Sequence, residues 1–466
     1  WWRLTRVLNI NNTHFFLSIS SVCAQQQHQS LIMYDVMVYA TLVGLVALLA
    51  VLATNYKLLP KTAQNADFRA FQKKYLTVYY AVLLADWLQG PYLYRLYSHY
   101  GYEQSQIAAL YTVGYVSAMI SGPLLGGLAD KHGRKKMCLT FCGLYSLSCL
   151  CKLFSNFFML ILGRFLGGIS TALLLSTFEA WMVFEHNRHG FPSDWLPRTF
   201  SLSTFGNGLV AVFAGIVANF VADSNKGYHP VRPFILAVFV LAISSWIMQV
   251  TWEENKAPLD DDGVGLTPRD EWATGLRPIL RHRRIWMLGL VQALFESAMY
   301  IFVFLWTPSL TEHHYHAPLG WIFASFMMAI VCGSALFQLA LSSGWKVPRI
   351  LELSLLGAVG CFTLCFFIES PTLMYMAFVG FELVCGVYYP ATGSLRGEIL
   401  PEEHRAGIMG WFRVPLNILV VIMLFTARQL SHHVLFGLCA VLCFAGFLGQ
   451  KKLSHLLEEE QNDKLE

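Results

Sequence analysis

Six ionisable residues interrupt long apolar stretches of this chain: Asp86, Arg164, Glu179, Glu296, Glu382 and Arg413. Charge at membrane depth is costly and marks pathways, relays and binding sites. Arg164 is the sharpest of them. Gly163, Gly167 and Gly168 flank it, so neighbouring helices can approach closely. Its guanidinium offers five donors in a planar fork that fits an oxyanion. Arg413 lies in Gly410-Trp411-Phe412-Arg413-Val414-Pro415, between two aromatics and a proline. It has two readings: a second cation clamping an anion opposite Arg164, or a side chain snorkelling to the near membrane surface. Two glutamines share helix faces with carboxylates, Gln89 one turn after Asp86 and Gln292 one turn before Glu296. They complete a candidate substrate-binding set of Arg164, Arg413, Gln89 and Gln292.

Carboxylates repel a dianion, so Asp86, Glu179, Glu296 and Glu382 suit a different task. They read as proton-coupling groups or as ion-pair partners for the arginines, and for Asp86 the two readings are evenly matched. Pro91, just beyond Asp86, interrupts the backbone hydrogen-bond ladder and allows flexing there.

These groups need elements to hold them, and the composition says which. Hydrophobic residues make up 55% of the 466 and charged residues 13%, against roughly 25% charged in soluble domains. A helical span needs about 20 apolar residues, and the chain has thirteen such stretches. They are Leu31–Ala53, then Tyr75–Tyr97, Ser105–Ala129, Met137–Phe154, Phe157–Phe184, Thr199–Val221, Pro233–Val250, Ile285–Leu310, Leu319–Leu341, Ile350–Ile368, Thr372–Ser394, Gly407–Ala427 and Val434–Leu448. The runs are continuous rather than alternating, so they are helices and not barrel strands. The net charge of +4 is too small and scattered for nucleic-acid binding.

The expected organisation follows. Residues 1–30 are polar and aperiodic, and are expected to be a gene-model artefact ahead of Met33. An extra transmembrane helix spans 31–53 and a basic cytosolic linker 54–74. A six-helix half spans 75–250, a cytosolic central loop 251–284, a second six-helix half 285–449 and a cytosolic tail 450–466. Placing the Gly126–Lys136 loop in the cytosol and alternating puts roughly 24 of the 33 Lys and Arg on that side, as the positive-inside rule demands. The C-terminus is then cytosolic and the N-terminus extracellular. Asp260-Asp261-Asp262 and His313-His314-Tyr315-His316 read as solvated loop rather than as metal sites. Most of the 11 cysteines lie in apolar spans as packing residues. No nucleophile–base pair, metal motif or nucleotide loop appears, so neither an enzyme, a cofactor nor ATP-driven pumping is expected.

The loop Gly126-Gly127-Leu128-Ala129-Asp130-Lys131-His132-Gly133-Arg134-Lys135-Lys136 closely resembles the signature loop of the major facilitator superfamily. That resemblance implies an all-α, polytopic fold of two six-helix halves, here with one extra N-terminal helix. It also implies a gating role for Asp130 and Arg134, with Gly126 and Gly133 shaping the turn. Spacing alone allows Asp130 and Arg134 to pair as residues one helical turn apart.

Further stretches narrow the branch. Ala85-Asp86-Trp87-Leu88-Gln89-Gly90-Pro91-Tyr92, Gly163-Arg164-Phe165-Leu166-Gly167-Gly168, Gln292-Ala293-Leu294-Phe295-Glu296-Ser297 and Trp411-Phe412-Arg413-Val414-Pro415 together resemble the molybdate-anion transporter family. The resemblance implies cellular uptake of molybdate, a tetrahedral dianion, through the plasma membrane. The residues themselves reach an anion facilitator, not molybdenum. Sulfate or a small organic solute, or a non-transporting membrane sensor, stays open on the residues alone. So does coupling to protons.

Overall fold

A computed structural model of the chain describes residues 33–54, 65–192, 195–224, 227–255, 276–311, 317–401, 405–427 and 429–463. Residues 1–30, the acidic triplet at Asp260 and the histidine cluster at His313 lie outside the described residues.

The architecture is helical. α1 (Met33–Thr54) comes first. The first half holds α2 (Ala66–Trp87), α3 (Leu93–His99), α4 (Gln104–His132), α5 (Arg134–Cys151), α6 (Phe157–Leu174), α7 (Thr177–Arg188), α8 (Leu196–Ala222) and α9 (Arg232–Thr251). The second half holds α10 (Arg283–Thr311), α11 (Leu319–Ser342), α12 (Val347–Phe367), α13 (Pro371–Ile399), α14 (Arg405–Thr426) and α15 (His432–Asp463). A 3-10 turn, Gly90–Tyr92, joins α2 to α3, so these two make one crossing, as do α6 and α7. Counted that way, six crossings stand on each side of the central loop. A two-residue antiparallel pairing, Asp223–Ser224 with Gly227–Tyr228, closes the turn between α8 and α9.

Among the described residues, ten helical stretches are long and apolar enough to cross a membrane, α1 included. α2, α4 and α5 are not among them, and for α2 and α5 the reason is charge. α2 carries Arg69, Lys73, Lys74 and Asp86, and α5 opens on Arg134-Lys135-Lys136.

Boundaries differ from expectation where local chemistry extends or cuts a helix. α2 starts at Ala66, inside the predicted linker, because Asn65 accepts a hydrogen bond from the Phe68 N–H at 3.0 Å and caps it. The predicted span from Phe157 to Phe184 is interrupted between α6 and α7 at Leu175–Ser176. α15 runs on through the predicted tail to Asp463.

The two halves repeat one packing device. A Cβ on Gly168 of α6 would fall on the Gly114 carbonyl and Ser117 of α4, so these helices touch backbone to backbone. In the second half, a Cβ on either Gly333 of α11 or Gly386 of α13 would sit 2.9 Å from the other's Cα. Pro390 has no N–H to offer the Gly386 carbonyl, and Ser334 of α11 donates to it instead at 3.0 Å. α1 packs outside this pair of bundles, against the second half. Its Tyr39 ring stands 5.1 Å from Trp321, and Cys332 reaches the Leu45 carbonyl at 3.2 Å.

Contacts between the halves gather toward the face opposite the α4–α5 turn. Tyr94 and Tyr111 meet Phe304 at 5.5 and 5.4 Å between ring centroids, and Tyr115 meets Tyr300 at 5.0 Å. Asn219 accepts from the Gly320 N–H at 3.2 Å on the same side. An aromatic seal thus closes one end of the space between the halves.

Candidate functional site

Two polar clusters line the halves, one on each side of the Tyr115–Tyr300 pair. The first-half cluster is built from α2, α5 and α6. Arg164, seven residues into α6, is half-buried. Its Nε donates to the Leu110 carbonyl at 3.1 Å, and its guanidinium lies 4.9 Å from the Tyr111 ring centroid. Gly114 leaves the room for it, since a Cβ there would lie 2.9 Å from Arg164 Nε. Among the described residues no acceptor takes a hydrogen bond from Nη1 or Nη2. The fork is held at its base and uncommitted at its tips.

Asp86 accepts a hydrogen bond from the Tyr145 hydroxyl of α5. Gln89 lies beyond the end of α2 rather than one turn along it, and both ends of its amide are committed. Its Nε2 donates to the Ala85 carbonyl at 3.2 Å, and its Oε1 accepts from Lys152 Nζ at 2.8 Å. Lys152, the residue that ends α5, is buried and was not among the expected site residues. One lysine after Leu150-Cys151 looks like an ordinary helix-end charge, and nothing local reveals that it turns inward.

The second-half cluster is built from α10, α13 and α14. Glu296 lies in the fields of Arg396 and Arg413, with Gln292 and Tyr388 beside its carboxyl. Arg413 is exposed, yet it also acts on Tyr300. Arg164 likewise acts on Tyr115, so the two arginines flank the tyrosine pair from opposite halves. Arg396 was missed because it sits near the end of α13 with Glu398, where a charged helix end explains it equally well.

The remaining carboxylates stand apart. Glu179 is exposed in the first turn of α7, near Tyr75 and Tyr79. Glu382 is buried on α13, and among the described residues no donor or cation pairs with it. It is not an arginine partner in this state.

At the signature turn the structure corrects one expectation. α4 ends at His132 and Gly133 adopts φ 107°, so Asp130 and Arg134 belong to different helices and are not one turn apart on a shared one. The surroundings of Gly126 and the side chain of Asp130 lie outside the described residues, while Leu125 is buried and Leu128 exposed. Arg134 stacks 4.9 Å over the Phe184 ring, and its N–H donates to the Asn255 carbonyl at 2.9 Å. Glu254 supplies the anchor that sequence reading missed. Its carboxylate accepts the backbone N–H groups of Lys135 and Lys136 at 3.0 and 3.1 Å, capping α5 where the helix dipole is positive. Asn255 bonds to Glu185 Oε1 at 3.1 Å, and Trp252 stacks on Trp181 at 3.7 Å. The segment after α9 therefore ties α5 to α7.

Two packed six-crossing bundles, with charged groups facing the space between them, define a membrane transporter of the major facilitator type. The fold is similar to that of the nucleoside transporter NupG (TM-score 0.62, 14% identity, 81% of this chain and 98% of that one). It is also similar to a D-xylose–proton symporter (TM-score 0.64, 12% identity, 82% and 98%). Residues 36–382 match the family described as sugar transporters, 12 TM. Proteins named molybdate-anion transporter are similar along most of the chain. The one from Xenopus tropicalis is 43% identical over 86% of this chain and 91% of its own length. The one from Danio rerio is 43% identical over 82% and 85%. The chain belongs to the molybdate-anion transporter family of the major facilitator superfamily.

Proposed function

We propose that this chain carries molybdate into cells across the plasma membrane by alternating access between its two halves. The observation that carries the reading is the Arg164 fork. It is pinned through Nε, backed by Tyr111, and its two outer nitrogens bond to no protein acceptor among the described residues. That is a preorganised receptor for a tetrahedral oxyanion. Arg413, across the Tyr115–Tyr300 pair, supplies the opposing cation when the halves close, and Gln292, beside Glu296, has a buried Oε1 that no donor meets among the described residues.

The same reading places the α4–α5 turn in the cytosol, so the aromatic seal closes the outside and the open end faces in. α1 is then an additional crossing with its first residue outside, and α15 ends in the cytosol. Asp86 and Glu296 occupy the first crossing of each half and each shares its pocket with cations. They are the groups through which a co-transported proton would pass. Asp130, Arg134, Gly126 and Gly133 serve as the gate, with Glu254 as its anchor.

Radiolabelled molybdate uptake into cells expressing the chain, with sulfate in excess and Arg164→Ala beside it, tests the reading. Saturable uptake that resists sulfate and disappears in the variant is expected. Absence of uptake at normal surface expression would refute it.

A further inference from the structure

The first half contains a second cation, this one fully buried and without an ion-pair partner among the described residues. Lys152 is 2% exposed. Its ammonium bonds to Gln89 Oε1 at 2.8 Å and to Ser148 Oγ at 3.2 Å. Both acceptors are neutral, and Ser148 spends its own proton on the Gly163 carbonyl at 2.6 Å. The ammonium also faces the Phe234 and Tyr145 rings at 5.3 and 5.8 Å, and no third acceptor meets it among the described residues. Asp86 lies within electrostatic range and offsets part of this charge, but no acidic side chain among the described residues comes within ion-pair distance of Lys152. A buried charge without a counter-charge is strongly unfavourable unless something else supplies one.

Arg164 is the neighbour that gives this cation a meaning. The Gly163 carbonyl that receives Ser148 immediately precedes it, and a Cβ on Gly163 would lie 3.9 Å from the Lys152 side chain. The two cations act on each other and both act on the region around Tyr145. Two like charges held together inside an apolar bundle repel, and a tetrahedral dianion would offset both. We infer that Lys152 is the second cationic group of the oxyanion site, so that the first half alone offers the substrate two cations, Arg164 and Lys152. The inference rests on the anion-transport reading above and assigns a residue to it.

Gln89→Glu gives a direct test, because it places a carboxylate on the ammonium in the same shape, at the cost of the bond to the Ala85 carbonyl. The measurement is molybdate and sulfate affinity by calorimetry on the purified full chain in nanodiscs, alongside the anion-free melting temperature. The expected result is a melting temperature held or raised, with affinity for both anions weakened about tenfold or more, the worth of one charge-assisted hydrogen bond. Lys152→Met, which keeps the stem and removes the charge, is expected to weaken both anions by a similar factor. If Lys152 serves only to join α2 to α5, Gln89→Glu raises the melting temperature and leaves affinity unchanged, which overturns the inference. Wild-type affinity in Gln89→Glu together with normal molybdate uptake sinks Lys152 alone. A wild-type protein that binds neither anion sinks the transport reading with it.

Discussion

Gly114 offers a way to move Arg164 without touching it. An alanine methyl at this position would lie 2.7 Å from Arg164 Cζ and 2.9 Å from Nε. Ordinary contacts between such atoms begin near 3.5 Å, so the guanidinium must retreat by about 1 Å. The end of a long side chain can do this without parting α4 from α6, so Gly114→Ala should fold and reach the surface. The retreat strains the bond to the Leu110 carbonyl and the stacking on Tyr111. The charged hydrogen bond alone is worth about 1.5–3 kcal/mol, and the weakened cation–π contact adds to the loss. If the substrate binds the fork where it now lies, KM for molybdate uptake should rise roughly 10- to 150-fold. Repeating the substitution in an Arg164→Lys background separates causes. A lysine does not place a fork under that methyl, so Gly114→Ala should then change KM by less than about twofold, a clear departure from additivity. A wild-type KM for Gly114→Ala at normal surface density, or an equal effect in both backgrounds, would refute the placement of the anion at Arg164.

Two other perturbations address movement rather than binding. Glu254→Gln removes the charge from the cap of α5, at a cost of about 0.5–2 kcal/mol. It should lower the maximal uptake rate while molybdate affinity stays unchanged, and weakened affinity with normal turnover would contradict a gating role. Tyr115→Ala deletes one ring of the pair that joins the halves, worth about 0.5–1.5 kcal/mol beyond buried area. Spin labels at the sealed ends of α4 and α10 should then show a larger widely separated population by pulsed EPR, and an unaltered distance distribution would remove this pair from the seal.

What could be read from the sequence was what depends on one residue and its near neighbours. Continuous apolar runs gave the crossings, and glycines around Arg164 announced both a close helix contact and a cation that such a contact must accommodate. The signature turn was readable for the same reason, since Gly133 and its basic neighbours are contiguous. The partners were not readable, because each is brought in from far along the chain. Lys152 meets Gln89 across 63 residues, and Glu254 reaches Lys135 across 119. Short-range spacing even misled at Asp130 and Arg134, where counting one helical turn assumes a helix that Gly133 interrupts. The same limit explains why Arg413 had two readings. Distance from the helix end does not separate a snorkelling side chain from one facing a cavity, and its neighbours Glu296 and Tyr300 lie more than 110 residues away along the chain. For a protein that moves its substrate between two bundles, this division is physical. The scaffold must be locally consistent to insert and fold, but the site must be assembled from separate helices, so that moving the helices dismantles it.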